Sequence, residues 1–179
     1  MQVLKIVITG AYAAGKTHFI RSLSDIETVS TEYEVTQAGE LELKPETTVA
    51  LDFGKTALSE CLALYIFGTP GQERFDYMWE LLSEGSHGYV VMVDSCQPAQ
   101  FAETQRLMAR FAQITHAPFV VAANKQDDPE ALTASAVREQ LQLPASVPIV
   151  PCVATDRASC MSVIVALLGE IAVRAAGHA

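Results

Sequence analysis

The sequence predicts an α/β fold whose sheet is mostly parallel, with one antiparallel hairpin strand at its edge. Three observations point there. Continuous apolar runs, the mark of strands buried on both faces, alternate with stretches of helical period. Two strand-like runs are separated only by Ser59–Cys61, a connection short enough to make a hairpin. The length, 179 residues, suits one domain, read here as spanning 1–179.

Val3–Thr9 (VLKIVIT) reads as a short buried strand that ends at Gly10, and a helix begins near Lys16. Residues 25–46 are polar and carry seven acids against Lys44, which makes them a long loop of functional or unfolded character. It is either a solvated segment or an attractor for a basic partner. Val49–Leu58 and Leu62–Phe67 form the hairpin. Gly88–Val93, Phe119–Ala123 and the shorter Val147–Val150 complete the sheet, with helical patterns at about 73–84, 98–115, 131–141 and 158–174. Ligands in such sheets sit beyond the carboxyl ends of the strands. The loops at those ends begin near residues 10, 68, 94, 124 and 151.

Composition narrows the function classes. Hydrophobic residues make up 50% of the chain and aromatics 7%, so aliphatic side chains fill most of a sizeable core. The net charge of −9 disfavours nucleic acid, which needs a basic surface for counterion release, and gives nothing to hold an anionic membrane. Cys61, Cys96, Cys152 and Cys160 are scattered with no C-x-x-C pair, which predicts reduced, buried thiols rather than a disulfide framework or zinc site. The start lacks a signal-peptide shape, and no apolar run is read as long enough to cross a bilayer. Gln2 excludes myristoylation and the ending RAAGHA offers no prenylation cysteine, so the expectation is a cytoplasmic chain with no lipid anchor.

Gly10-Ala11-Tyr12-Ala13-Ala14-Gly15-Lys16-Thr17 fits G-x-x-x-x-G-K-[ST] in a strand–loop–helix setting. Glycines let the backbone turn and approach phosphates closely. The N–H groups of Ala13, Ala14 and Gly15 and of the helix start then face an anion. Lys16 supplies a point charge to β- and γ-phosphates, and the Thr17 hydroxyl suits Mg²⁺. Asn124-Lys125-Gln126-Asp127 follows a buried strand. A carboxylate at Asp127 can accept two hydrogen bonds from N1–H and the exocyclic amine of guanine, a donor pair that adenine lacks. Asn124 would touch the base edge and tie loops together, and the Lys125 stem would cover the base face. After the last strand, backbone N–H groups of Val153-Ala154-Thr155 are in reach of the guanine oxygen.

These motifs together resemble the Ras-like small GTPases, a P-loop NTPase family. The likeness covers nearly the whole chain: the phosphate loop, Thr48 in TTVALDF, GTPGQERF at 68–75, NKQD and VAT. It implies a six-stranded sheet with five helices, GTP/GDP and Mg²⁺ as ligands, and two mobile segments near 27–50 and 69–84. It also implies that Thr48 coordinates Mg²⁺, Gly71 senses the γ-phosphate and Gln72 orients the attacking water.

Two departures matter. Ras-like proteins usually carry Asp where this chain has Gly68, and that Asp holds Mg²⁺ through water. Counting from the hairpin turn puts Asp52 opposite Phe67 or Gly68, close enough to supply the missing carboxylate. The alternative is an Asp on the solvent face of the strand. Tyr12 stands where the family often has Gly. A bulky side chain there would crowd the γ-phosphate, Gln72 and an incoming arginine, which predicts slow hydrolysis. The displaced Asp, the LDFG strand and PGQ resemble the prokaryotic MglA-type branch, and that resemblance implies a Roadblock/LC7 activator or effector.

Other residues carry weaker signals. Arg74 is a partner contact or a charge acting in cis. Phe75 and Trp79, with Tyr77 and Met78, are an exposed effector surface or core. The histidines show no ligand spacing. The reading is a slow GTP-hydrolysing switch; the rivals are a binding module without hydrolysis and a P-loop small-molecule phosphotransferase.

Overall fold

The computed structural model describes residues 2–30, 51–70 and 76–177. Its strands are β1 (Gln2–Gly10), β2 (Val29–Ser30), β3 (Asp52–Ser59), β4 (Leu62–Gly68), β5 (Gly88–Asp94), β6 (Phe119–Asn124) and β7 (Ile149–Pro151). The helices are α1 (Lys16–Leu23), α2 (Asp76–Ser83), α3 (Phe101–Ile114), α4 (Ala134–Gln140) and α5 (Arg157–Ala176). The strand order is β2-β3-β4-β1-β5-β6-β7. β1 runs parallel to β4 and β5, and β6 continues the parallel half to β7. β3 is antiparallel to β4. The six expected strands are all present, with the one antiparallel hairpin strand and five helices. A two-residue strand, β2, adds itself outside β3.

The alternation of strand side chains divides the core. Ile6 and Ile8 of β1 face α1 and α5, where Phe19, Ile20, Leu23, Val163, Ile164 and Leu167 are buried. Val7 points the other way, toward Trp79, Leu107, Phe111 and Val137 of α2, α3 and α4. Trp79 is 3% exposed and its indole N–H donates to the Pro70 carbonyl at 3.3 Å, so it belongs to the core. Its ring packs on Phe111, which also meets Tyr89. Phe75 lies outside the described residues.

Two expectations need correction. α5 has 20 residues and an 18-residue window of mean hydropathy 1.7, enough by length and composition to cross a membrane. Cys160, Val163, Ile164 and Leu167 on its inner face are buried, while Val165 and Val173 are exposed, and 22% of the apolar stretch is buried. Of the cysteines, Cys152 and Cys160 are buried, but Cys61 in the hairpin turn is exposed.

The arrangement places one end of the sheet at a switch point. β1 is flanked by β4 and β5, and the carboxyl ends of these parallel strands share one edge, the place where open α/β sheets take their ligands.

Candidate functional site

The phosphate loop is held in a conformation its sequence was chosen for. Gly10 has φ +146°, and a Cβ there would stand 2.4 Å from the Met92 carbonyl oxygen of β5. Gly15 has φ +102°, and its Cβ would lie 2.2 Å from Asn124 Nδ2. Neither position admits a side chain. Ala13, also left-handed at φ +60°, keeps the loop open between them. Gly15 precedes α1, whose first turn has no side-chain cap, so backbone N–H groups are left for an anion. The Lys16 ammonium donates to the carbonyls of Gly10 and Ala11, both at 2.8 Å. Burial lowers its pKa to about 8, and the Asp52 carboxylate opposes the fall.

Asp52 pairs across the hairpin with Gly68. The Thr17 hydroxyl donates to Asp52 Oδ2 at 2.6 Å. A Cβ at Gly68 would come within 2.8 Å of Ile20 Cδ1 and 3.0 Å of Asp52 Cβ. The glycine therefore leaves the space that the Asp52 side chain occupies. A hydroxyl and a carboxylate oxygen now adjoin next to the phosphate loop. No group of three or more His, Cys, Asp or Glu able to hold a metal occurs among the described residues. The oxygen pair suits Mg²⁺, which takes one or two protein oxygens and fills its shell with phosphate and water.

The second loop is braced at Asn124, which is 2% exposed. Its Nδ2 donates to the Ala14 carbonyl and its Oδ1 accepts the Ala154 N–H, both at 2.9 Å. One side chain thus ties the phosphate loop, β6 and the loop after β7. The Val153 N–H donates to Ser159 Oγ at 2.8 Å. The N–H groups of Val153 and Ala154, expected to meet a base, are spent on holding this loop. Lys125 has φ +66°, and its ammonium lies 2.6 Å from Asp94 Oδ2, a carboxylate 3% exposed at the end of β5. The Asp94 hydrogen bond raises the Lys125 pKa. Gln126 donates to Ser95 Oγ and the Leu132 carbonyl. Asp127 is left exposed at the loop tip.

Sequence reasoning missed Asp94 and Arg157. The Asp94 signal was its place at the carboxyl end of an apolar run. Arg157 donates to the carbonyls of Ser22 and Leu23 at the end of α1 and pairs with Asp25 at 2.7 Å. Asp25 also accepts the Ala57 N–H, the leading cause of its lowered pKa. This acid is a structural clasp rather than part of a solvated loop. Tyr12 is 67% exposed and projects from the phosphate loop. Thr48, Gly71, Gln72 and Arg74 lie outside the described residues.

Residues 24–173 match the model of a family described as conserved hypothetical ATP binding protein. The chain belongs to that family. It is 27% identical over 124 residues to an uncharacterized protein of Methanocaldococcus jannaschii, covering 69% of this chain and 71% of the other. Human ADP-ribosylation factor-like protein 4C is 27% identical over 154 residues, 82% of this chain and 73% of its own. Mouse ADP-ribosylation factor-like protein 14 is 25% identical over 142 residues, covering 77% and 67%. Family and relatives support a nucleotide-binding P-loop protein with a small-GTPase-like relationship. The family match begins after the phosphate loop, so that loop is an independent mark of the same function.

Proposed function

We propose that the chain is a guanine-nucleotide-dependent switch that binds GTP and GDP with Mg²⁺ and hydrolyses GTP slowly. The observation that carries this reading is the Thr17–Asp52 hydrogen bond opposite Gly68. It supports a metal-binding role for Asp52, whose carboxylate is hydrogen-bonded to Thr17 beside the phosphate loop, in a chain with Gly68 where D-x-x-G has its aspartate. Mg²⁺ bound there would neutralise phosphate charge. Lys16 leaves the Gly10 and Ala11 carbonyls for the β- and γ-phosphates, and the uncapped start of α1 supplies backbone donors. Asp127 reads guanine, Lys125 covers the base face from its seat on Asp94, and Thr155 takes over the backbone contact to the guanine oxygen. Thr48, Gly71 and Gln72 complete the site by resemblance: metal ligand, γ-phosphate sensor and orienter of water.

The family description favours a second reading, an adenine-nucleotide protein. The carboxylate at Asp127 speaks against it, because adenine offers no donor pair there. The proposed partner is a Roadblock/LC7-type activator or effector, a reading that rests on the MglA-like displaced Asp, LDFG and PGQ; the proposed setting is the cytoplasm. Single-turnover phosphate release with Mg²⁺, GTP against ATP, tests the activity. Slow release from GTP alone supports the switch. Bound but uncleaved GTP favours the binding module, and equal turnover of ATP favours the phosphotransferase.

A further inference from the structure

At the amino ends of β5, β6 and β7, opposite the phosphate loop, two cavities of about 470 and 360 Å³ adjoin. They share Thr115, His116, Ala117, Pro118 and Arg174. Among the described residues, the larger one is lined by His87, His116 and Arg174 and by no acid. That is unexpected in a chain of net charge −9. Ser83 and Ser86 line the same cavity, and both hydroxyl oxygens are buried with no hydrogen-bond partner. Ser83 is 5% exposed. A buried hydroxyl without a partner is costly and calls for one. His87 Nδ1 accepts the Lys5 N–H at 3.0 Å, so the proton of its neutral ring sits on Nε2, which is a donor.

We propose that this cavity is a second ligand site, one that binds a small anion through a phosphate or carboxylate group. Ser83 and Ser86 give neutral donors, the His87 Nε2–H gives a third, and His116 and Arg174 line the cavity beside them. Glu170 lines only the adjoining cavity, which assigns the anionic end of the ligand to the Ser83 side. The site is separate from the nucleotide crevice and does not rest on the guanine reading.

The test is an NMR titration of the full chain in excess Mg·GDP. Inorganic phosphate and acetate are added in separate arms, and the ring resonances of His87 and His116 are followed. The site predicts saturable shifts at both rings in at least one arm; the tighter arm identifies the group. His116→Gln and Ser83→Ala should each weaken that binding, the former by about tenfold, with GDP affinity unchanged. Shifts that never saturate, or saturable binding that neither variant weakens, overturn the proposal. Because the readout lies at the far end of the sheet, failure of the nucleotide reading would not imitate either result.

Discussion

One absent side chain, at position 68, decides where a carboxylate can stand. Any Cβ there must displace Ile20 Cδ1 or Asp52. Gly68→Ala should cost about 1–3 kcal/mol by overpacking and should weaken the gain in GDP affinity that Mg²⁺ gives. Calorimetric melting and GDP titration with and without Mg²⁺ read the two effects. Asp52→Asn keeps the volume but removes the charge. Mg²⁺ should then cease to strengthen GDP binding, while metal-free affinity stays near that of the parent; an unchanged Mg²⁺ effect would reject Asp52 as the metal carboxylate. Lys16 gives a pH signature. Its pKa in the free chain falls to about 8, and phosphate restores the charged form. Binding therefore takes up a proton above that pH. GDP affinity should be flat below pH 8 and fall by up to about tenfold per unit above it, which fluorescence titration across that range would detect.

At the level of elements, two side chains join pieces that the backbone alone leaves apart. Asn124 links the phosphate loop to the loop after β7. Asn124→Ala strands a buried carbonyl and a buried N–H, at about 2 kcal/mol. The melting temperature should drop by about 4–8 °C in a chain of this size, with a larger loss in nucleotide affinity than in stability. Arg157 clasps α1 to α5 and β3 through Asp25, Ser22 and Leu23. It is about half exposed, so Arg157→Ala should cost only about 1 kcal/mol and leave GDP affinity nearly intact. The elements themselves were largely legible in the sequence. Runs such as GYVVMV and FVVAA are buried on both faces and state their own identity. Counting from the hairpin turn put Asp52 opposite Phe67 or Gly68. The structure selects Gly68, because the register shifts between Ala57 and Ser59 near the turn. β2 has two residues, too few to leave a period, and was invisible.

For the whole molecule, the fold follows from patterning, but the site depends on contacts between segments distant in sequence. A motif announces which residues meet a ligand. It does not announce which residues hold those residues, and so Asp94, Arg157 and the bracing role of the Ala154 N–H emerged only from the folded chain. Trp79 was ambiguous for the same reason: a helix face gives spacing, while Phe111 and Pro70 decide burial. The central claim is that this nucleotide-binding P-loop protein reads guanine through Asp127. Competition between GDP and ADP for the full chain with Mg²⁺ tests it, with Asp127→Asn alongside. The account predicts that GDP wins by about 100-fold or more and that Asp127→Asn removes most of that preference without unfolding the chain. Equal affinity for the two nucleotides, or a preference that survives in Asp127→Asn, would contradict it.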